Sequence, residues 1–243
     1  MEKSICKIEF DTGECGNGFF CSIQFNDSYV IKVLITNNHI WKESNNFEKI
    51  KLIINDELKE IIIDKSRLKY INEEYGVNII EIKDIDDIDK DIFLEIDSSN
   101  LNELISIYLL YYSEENKEIV KFYSKIQKIY ENNIFEFDSN NLPDLILSPI
   151  INKNNNKIIG INICSRDKDD FNKKKGIFIN KIIEEFKINK LYKIMNENDI
   201  NLNNDDDLIT IIYEIKGKEK IQLFGSKFVK NNNDKCSIFI FLF

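Results

Sequence analysis

Two neighbouring segments near the N-terminus decide the fold. They read Cys15-Gly16-Asn17-Gly18-Phe19-Phe20-Cys21-Ser22-Ile23 and Val33-Leu34-Ile35-Thr36-Asn37-Asn38-His39-Ile40. β-Branched and aromatic residues dominate both, as they do in strands. We expect a glycine-rich turn that leads into a strand, a hairpin, and a second apolar strand that ends in Thr-x-x-His. The imidazole of His39 would then lie just beyond a strand, at the edge of a core.

Strand signals of the same kind recur along the first two thirds of the chain. They cover residues 19–25, 29–36, 50–54, 60–64, 77–82, 105–112, 119–123, 134–137, 158–164 and 176–180. Because amphipathic helices do not separate them, they predict an all-β sandwich or a pair of β-barrels. Near the end, the helical spacing of Ile182, Ile183 and Phe186 predicts one helix, with Asn180 as its N-cap.

Composition excludes several classes of function. The 243 residues include 33 Lys and Arg against 42 Asp and Glu, so the net charge is −9, which argues against a nucleic-acid partner. One histidine and five cysteines without a CxxC pair argue against a metal site or another cofactor. We find no signal peptide and no apolar run of membrane length, and expect a cytoplasmic protein with reduced thiols and no membrane partner.

Four motifs resemble the chymotrypsin-like (trypsin-like) serine peptidases. The first is the opening pair of segments, in which Thr36-Asn37-Asn38-His39 is similar to Thr-Ala-Ala-His. The others are Tyr75-Gly76-Val77-Asn78-Ile79-Ile80-Glu81-Ile82, then Leu147-Ser148-Pro149-Ile150-Ile151 with Lys157-Ile158-Ile159-Gly160-Ile161, and Gly176-Ile177-Phe178-Ile179. The resemblance implies two six-stranded antiparallel β-barrels, a C-terminal helix, and His39 as the retained general base.

Two positions depart from the family pattern. The catalytic triad needs a base, a carboxylate that orients the base, and a nucleophilic hydroxyl. Gly76 stands where the resemblance places the carboxylate. Pro149 fixes the register of the Gly-Ser-Ser-Gly-Ser-Pro motif, so Ile146 stands in the place of the nucleophile, and Asp144 and Leu147 replace the two glycines. An aliphatic side chain cannot attack a carbonyl.

Surrogate residues for the triad are available nearby. Ser148 would become the nucleophile if the loop slid by two residues, although the following proline opposes that shift. Asn78 lies two residues after Gly76, on the same face of an extended segment, and could hydrogen-bond His39. A neutral amide does not stabilise an imidazolium as a carboxylate does.

The resemblance also divides the chain. It places barrel one at about residues 1–97, barrel two at about 98–180 and the helix next, within a domain of residues 1–187. Residues 188–207 would complete the helix and form an acidic linker. Residues 208–243 are similar to a short β module that precedes leucine-rich repeats in homologues, here truncated. Tyrosines alternate with Ile and Leu in the second barrel and are expected to pack it: Tyr108, Tyr111, Tyr112, Tyr123 and Tyr130.

Three functional hypotheses follow. The first is a catalytically inactive peptidase homologue that binds a peptide or protein, because Gly76 and Ile146 replace the Asp and Ser of the triad. The second is an active serine endopeptidase that uses His39 and Ser148. The third is the product of a nonfunctional gene copy, which would fold poorly because apolar residues replace a glycine turn.

Overall fold

The computed structural model describes most of the chain. The described residues are 2–10, 13, 15–26, 29–37, 49–64, 67–97, 99, 103–113, 117–131, 133–139, 147–163, 173–197, 209–215, 219–225, 229–230, 236–237 and 240–241. The chain divides into two compact units, which are Met1–Lys190 and Leu191–Phe243. The first unit contains two β lobes and most of a helix.

The opening segments form an antiparallel hairpin of β2 (Cys15–Asn26) and β3 (Tyr29–Asn37), in which Phe19 lies opposite Ile35. The expected glycine-rich turn is wrong, because the glycines belong to β2 itself. A Cβ on Gly18 would lie 2.8 Å from Leu34 Cδ1 and 3.1 Å from the Ile35 carbonyl oxygen. Glycine is therefore needed for close packing of the hairpin on the core.

The first lobe is one antiparallel sheet of seven described strands, in the order β5-β4-β1-β2-β3-β7-β6. Besides β2 and β3, its strands are β1 (Ile5–Glu9), β4 (Lys49–Ile54), β5 (Glu57–Ile62), β6 (Lys69–Asn72) and β7 (Val77–Glu81). Alternate residues on one face, including Phe20, Leu34 and Ile80, meet in a buried core. Phe19, Ile35 and Ile79 are also fully buried, so both faces of the central strands are covered.

Arg67 links the two ends of this sheet. Its Nε donates to the carbonyl of Ile62 at the end of β5, and its Nη1 donates to the carbonyl of Glu81 at the end of β7. The guanidinium also forms a buried two-pronged ion pair with Asp86, at 2.6 and 2.8 Å. Because β5 is one edge of the sheet and β7 lies next to the other, these bonds draw the edges together as in a barrel.

The second lobe is a closed barrel of six described strands, in the order β10-β13-β12-β11-β8-β9. They are β8 (Ser106–Ser113), β9 (Glu118–Ile129), β10 (Ile134–Asp138), β11 (Pro149–Asn152), β12 (Ile158–Ile163) and β13 (Lys173–Phe178). Phe135, Phe137 and Ile150 lie in its core. Tyr111 packs against this core as expected. Tyr108 and Tyr123 lie opposite each other on the outer face, where Tyr108 is buried, and the expectation for Tyr123 is wrong because 59% of it is exposed.

An extended connector joins the lobes. Leu94 exchanges backbone hydrogen bonds with β2, and Ile158 of β12 donates to Glu95 and accepts from Asp97. Asp97 is 3% exposed, and its carboxylate accepts hydrogen bonds from Ser99 and from the amides of Asn152 and Asn155. The connector therefore fixes the turn that follows β11.

Helix α1 (Ile179–Glu197) follows β13. Asn180 was expected to cap it but lies in its first turn, where its Nδ2 donates to the Asp97 carbonyl at 3.3 Å. Phe186 is fully buried and lies edge-on to Tyr70 of the first lobe, with ring centroids 6.0 Å apart. The helix thus returns from the second lobe to the first.

The second unit contains a three-stranded sheet in the order β14-β15-β18 and a two-stranded sheet of β16 and β17. Its strands are β14 (Ile209–Ile215), β15 (Glu219–Gly225), β16 (Val229–Lys230), β17 (Cys236–Ser237) and β18 (Ile240–Phe241). Across the described residues, none of the helices is both long enough and apolar enough to span a membrane.

Candidate functional site

The predicted site residues divide between described and undescribed parts of the chain. Strand β3 ends at Asn37, and His39 lies outside the described residues, as does Ile146. Gly76, Asn78 and Ser148 are described. The structure therefore shows the backbone that carries the carboxylate position and the strand that follows the nucleophile position.

Gly76 closes the turn between β6 and β7 with φ +68°, in the left-handed region. Apart from the two neighbouring residues in the chain, no described residue has an atom within 4 Å of a Cβ added at Gly76. Asn and Asp tolerate this region better than other side chains do. The turn therefore has room for a side chain at Gly76, and the assignment of this residue to the carboxylate position stays a prediction.

Asn78 lies two residues further, in β7, opposite Thr36 of β3. Its side chain is 1% exposed, and its Nδ2 donates to the Asn37 carbonyl at 3.3 Å. Within the described part of the chain, its Oδ1 is buried without a hydrogen-bond partner. Burying an unsatisfied amide oxygen costs free energy. The role of Asn78 in orienting His39 stays a prediction.

Leu147, at a position that the resemblance aligns with a glycine, has a backbone conformation that is unusual for leucine. Its φ is +68°, and its side chain is 3% exposed. The Leu147 N–H donates to the Asn162 carbonyl at 3.0 Å, and the Asn162 N–H donates to the Ser148 carbonyl at 2.9 Å. These two bonds hold the backbone in a conformation that costs a leucine about 1–2 kcal/mol.

Ser148 lies between this residue and the start of β11 at Pro149. It is 5% exposed, and its carbonyl is engaged by β12. A nucleophile must be reached by its substrate, so the buried position does not favour Ser148 in that role. Its distance from His39 involves an undescribed residue, and its role stays a prediction.

Sequence reasoning missed a polar cluster beside the Gly76 turn. The Glu185 carboxylate of α1 accepts hydrogen bonds from the Tyr70 hydroxyl at 2.9 Å and from Asn72 Nδ2 at 2.7 Å. Asn72 Oδ1 in turn accepts from the Tyr75 N–H at 2.9 Å. Burial, and then the neighbouring carboxylates, raise the pKa of Tyr75 to about 12. More than 100 residues separate Glu185 from this turn, so no spacing pattern indicates the contact.

The described residues include two thiols in the core of the first lobe. Cys6 and Cys21 are free, fully buried thiols, and burial raises the pKa of both, so neither is a nucleophile near neutral pH. Of the residues that the structure describes, no three or more His, Cys, Asp or Glu side chains come together to hold a metal ion.

Comparisons with known proteins give a likeness in structure alone. No protein-family model matches the sequence, and a search of curated proteins finds no similar sequence. An inactive form of a serine-to-alanine mutant of Rv3671c, a protease from M. tuberculosis, matches at TM-score 0.54 and 16% identity, over 82% of this chain and 90% of that chain.

Two further solved structures match. A serine endoprotease from Yersinia pestis has TM-score 0.51 and 12% identity, over 76% of this chain and 63% of that chain. Catalytically active tobacco etch virus protease in complex with product has TM-score 0.51 and 14% identity, over 90% and 88%. At these identities the likeness shows the fold alone, so the chymotrypsin-like fold predicted from the sequence is confirmed.

Proposed function

We propose that this chain is a trypsin-like serine peptidase homologue that has lost proteolytic activity and acts as a peptide- or protein-binding module. The observation that carries the proposal is the pair of substitutions at the triad: Gly76 at the carboxylate position and Ile146 at the nucleophile position. The chymotrypsin-like fold of the chain supports the relationship to these peptidases.

The carboxylate position supports this proposal directly. Gly76 lies in a left-handed turn and has no side chain, so it provides no carboxylate for an imidazole. One carboxylate beside this turn, that of Glu185, already accepts from Tyr70 and Asn72. In triad proteases, loss of the aspartate lowers turnover by a factor on the order of 10⁴.

The nucleophile position gives a stronger argument. Isoleucine has no group that can form an acyl-enzyme, and loss of the nucleophile lowers turnover by a factor on the order of 10⁶ in other triad enzymes. Ser148, the nearest hydroxyl in the motif, is 5% exposed. Hydrolysis through Ser148 would require β11 to give up its pairing with β12 at Pro149.

A fluorophosphonate probe tests the absence of a reactive serine. We expect the purified full chain to remain unlabelled and to leave fluorescein-labelled casein uncleaved. The matched control is Ser148→Ala, which should behave identically. Labelling of the native chain that disappears in Ser148→Ala would overturn the proposal and establish the active endopeptidase instead.

The single imidazole provides a second test. Because His39 is the only histidine, its ¹H–¹⁵N signals can be assigned without ambiguity. The resemblance places the triad carboxylate at Gly76, so Gly76→Asp should raise the pKa of His39 by about one unit, because an adjacent carboxylate stabilises the imidazolium.

The binding role has its own measurement. Addition of a peptide mixture from digested casein should shift the His39 signals saturably, because a retained substrate-binding region would lie beside the base. Unchanged signals at millimolar peptide would contradict the binding role without contradicting the absence of catalysis.

The proposal includes a reducing, cytoplasmic location, supported by the free thiols Cys6, Cys15 and Cys21.

A further inference from the structure

An aromatic and basic surface lies on the outside of the second barrel. Alternate residues of β9 point outward and are exposed, among them Lys121, Tyr123 and Lys125. Lys153 comes from the turn after β11, and its Nζ lies 5.5 Å from the centre of the Tyr123 ring. We call Lys121, Tyr123, Lys125 and Lys153 the Tyr123 face.

The barrel holds this surface in place. Tyr123 lies opposite the buried Tyr108, with ring centroids 5.9 Å apart, although 59% of Tyr123 is exposed. The Lys153 N–H donates to the Ser106 carbonyl, and Ser106 lies opposite Lys125. An open groove of about 480 Å³ runs beside Tyr123 and is lined by Lys125, Lys153 and Asp138 among others.

The charge of this surface opposes that of the molecule. The chain carries a net charge of −9, yet the face presents three lysines against Asp138 at the groove. One carboxylate of the chain already binds there, since Glu2 Oε1 lies 2.9 Å from Lys121 Nζ. The cation of Lys153 lies over a tyrosine ring, an arrangement that leaves ammonium protons available to an anion.

We propose that the Tyr123 face binds an extended acidic segment of a partner protein. Residues two apart on a strand are about 6.6 Å apart, for β9 and for an extended peptide alike. Glutamates at alternate positions of such a peptide would therefore share one face and meet successive lysines across Tyr123. The Glu2 contact on Lys121 shows the same chemistry within the chain.

A fluorescein-labelled peptide of alternating Glu and Ser is the probe, with fluorescence anisotropy as the readout. Lys125→Gln and Lys153→Gln should each weaken binding about three-fold, in line with exposed ion pairs. Lys128→Gln is the matched control, because Lys128 is an exposed lysine of β9 that lies over another tyrosine ring, that of Tyr130. It should leave the affinity unchanged.

We expect Glu2→Gln to have the opposite effect on the affinity for the peptide. It frees Lys121 and should tighten binding of the peptide about two- to three-fold. A peptide with the same residues arranged as a block of Ser and a block of Glu should bind more weakly than the alternating one, and salt should weaken binding.

Three results would overturn the proposal. They are an equal loss in Lys128→Gln, no gain in Glu2→Gln, and a preference for polyuridylate over the acidic peptide. None of these outcomes tests catalysis, because Tyr123 and its lysines are not among the residues assigned to the triad positions. The fluorophosphonate experiment therefore tests the absence of catalysis independently of peptide binding at the Tyr123 face.

Discussion

At the scale of single residues, the backbone at Leu104 is strained, and burial of its side chain does not compensate for the strain. Leu104 has φ +67°, and 72% of it is exposed, so its side chain gains little from burial. The left-handed conformation costs a leucine about 1–2 kcal/mol, and glycine avoids that cost. We expect Leu104→Gly to raise the free energy of unfolding by about 0.5–1 kcal/mol, measured by urea denaturation.

Leu58→Gly is the control for that substitution. Leu58 is 58% exposed but lies inside β5, where glycine is unfavourable. It should lower the free energy of unfolding. If both variants lost stability equally, backbone strain at Leu104 would not be the cause.

The buried ion pair of Arg67 and Asp86 makes a second prediction at this scale. Arg67→Met leaves the buried Asp86 carboxylate without its cation and should cost about 3–5 kcal/mol of unfolding free energy. Lys49→Met removes one partner of the exposed Lys49–Glu60 pair and should cost less than about 1 kcal/mol.

The double variant Arg67→Met/Asp86→Leu separates charge burial from packing. It removes both charges and should recover much of the loss of the single variant. No recovery would indicate that the hydrogen bonds from Arg67 to Ile62 and Glu81 account for the stability.

At the scale of elements, the docking of α1 depends on one glutamate. Glu185→Gln weakens the acceptor of the Tyr70 and Asn72 hydrogen bonds and should cost about 1–2 kcal/mol of unfolding free energy. Glu184→Gln, at an exposed position of the same helix turn, should change it by less than about 0.5 kcal/mol. Equal effects in chemical denaturation would assign the loss to helix propensity instead.

The strands show how far sequence patterns reach. Runs of β-branched residues correctly predict β2, β3, β7 and β8, which are buried on one or both faces. Strands β1 and β6 were not predicted, because charged and polar residues such as Lys7, Glu9 and Lys69 interrupt their apolar residues. Strand β9 extends to Ile129, beyond the predicted end at Tyr123, because Lys125 and Gln127 face outward.

Only those residues of the candidate site that belong to local sequence motifs could be predicted from the sequence. Gly76 and Ser148 follow from the register of local motifs, and so does Asn78. The contacts of Glu185 with Tyr70 and Asn72 span 115 and 113 residues, and tertiary packing alone brings these side chains together. A single sequence contains no local signal for such a contact.

At the scale of the whole molecule, Asp97 in the connector between the lobes makes the folding stability depend on pH. Burial opposes its charge, but hydrogen bonds from Ser99, Asn155 and Asn152 outweigh burial and lower its pKa to about 2. Since the unfolded value is near 3.8, the carboxylate stabilises the fold above about pH 4, and this stabilisation is lost as pH falls towards 2. The contribution is about 2 kcal/mol.

Asp97→Asn measures this contribution. The variant should be less stable than the native chain at pH 7, and the difference should shrink between pH 4 and pH 2. Thermal unfolding followed by circular dichroism across that range gives the comparison, and a constant difference would contradict the role of Asp97. One cooperative transition in the native chain would also count against a poorly folding gene product.

The backbone at Leu147 has a consequence for substitution at this position. Main-chain hydrogen bonds with Asn162 hold residues 147 and 148, so the left-handed angle at Leu147 is fixed without a glycine. A glycine introduced there would find its preferred backbone angle already in place. The main chain would therefore accept that glycine without rearranging, although the buried leucine side chain would be lost.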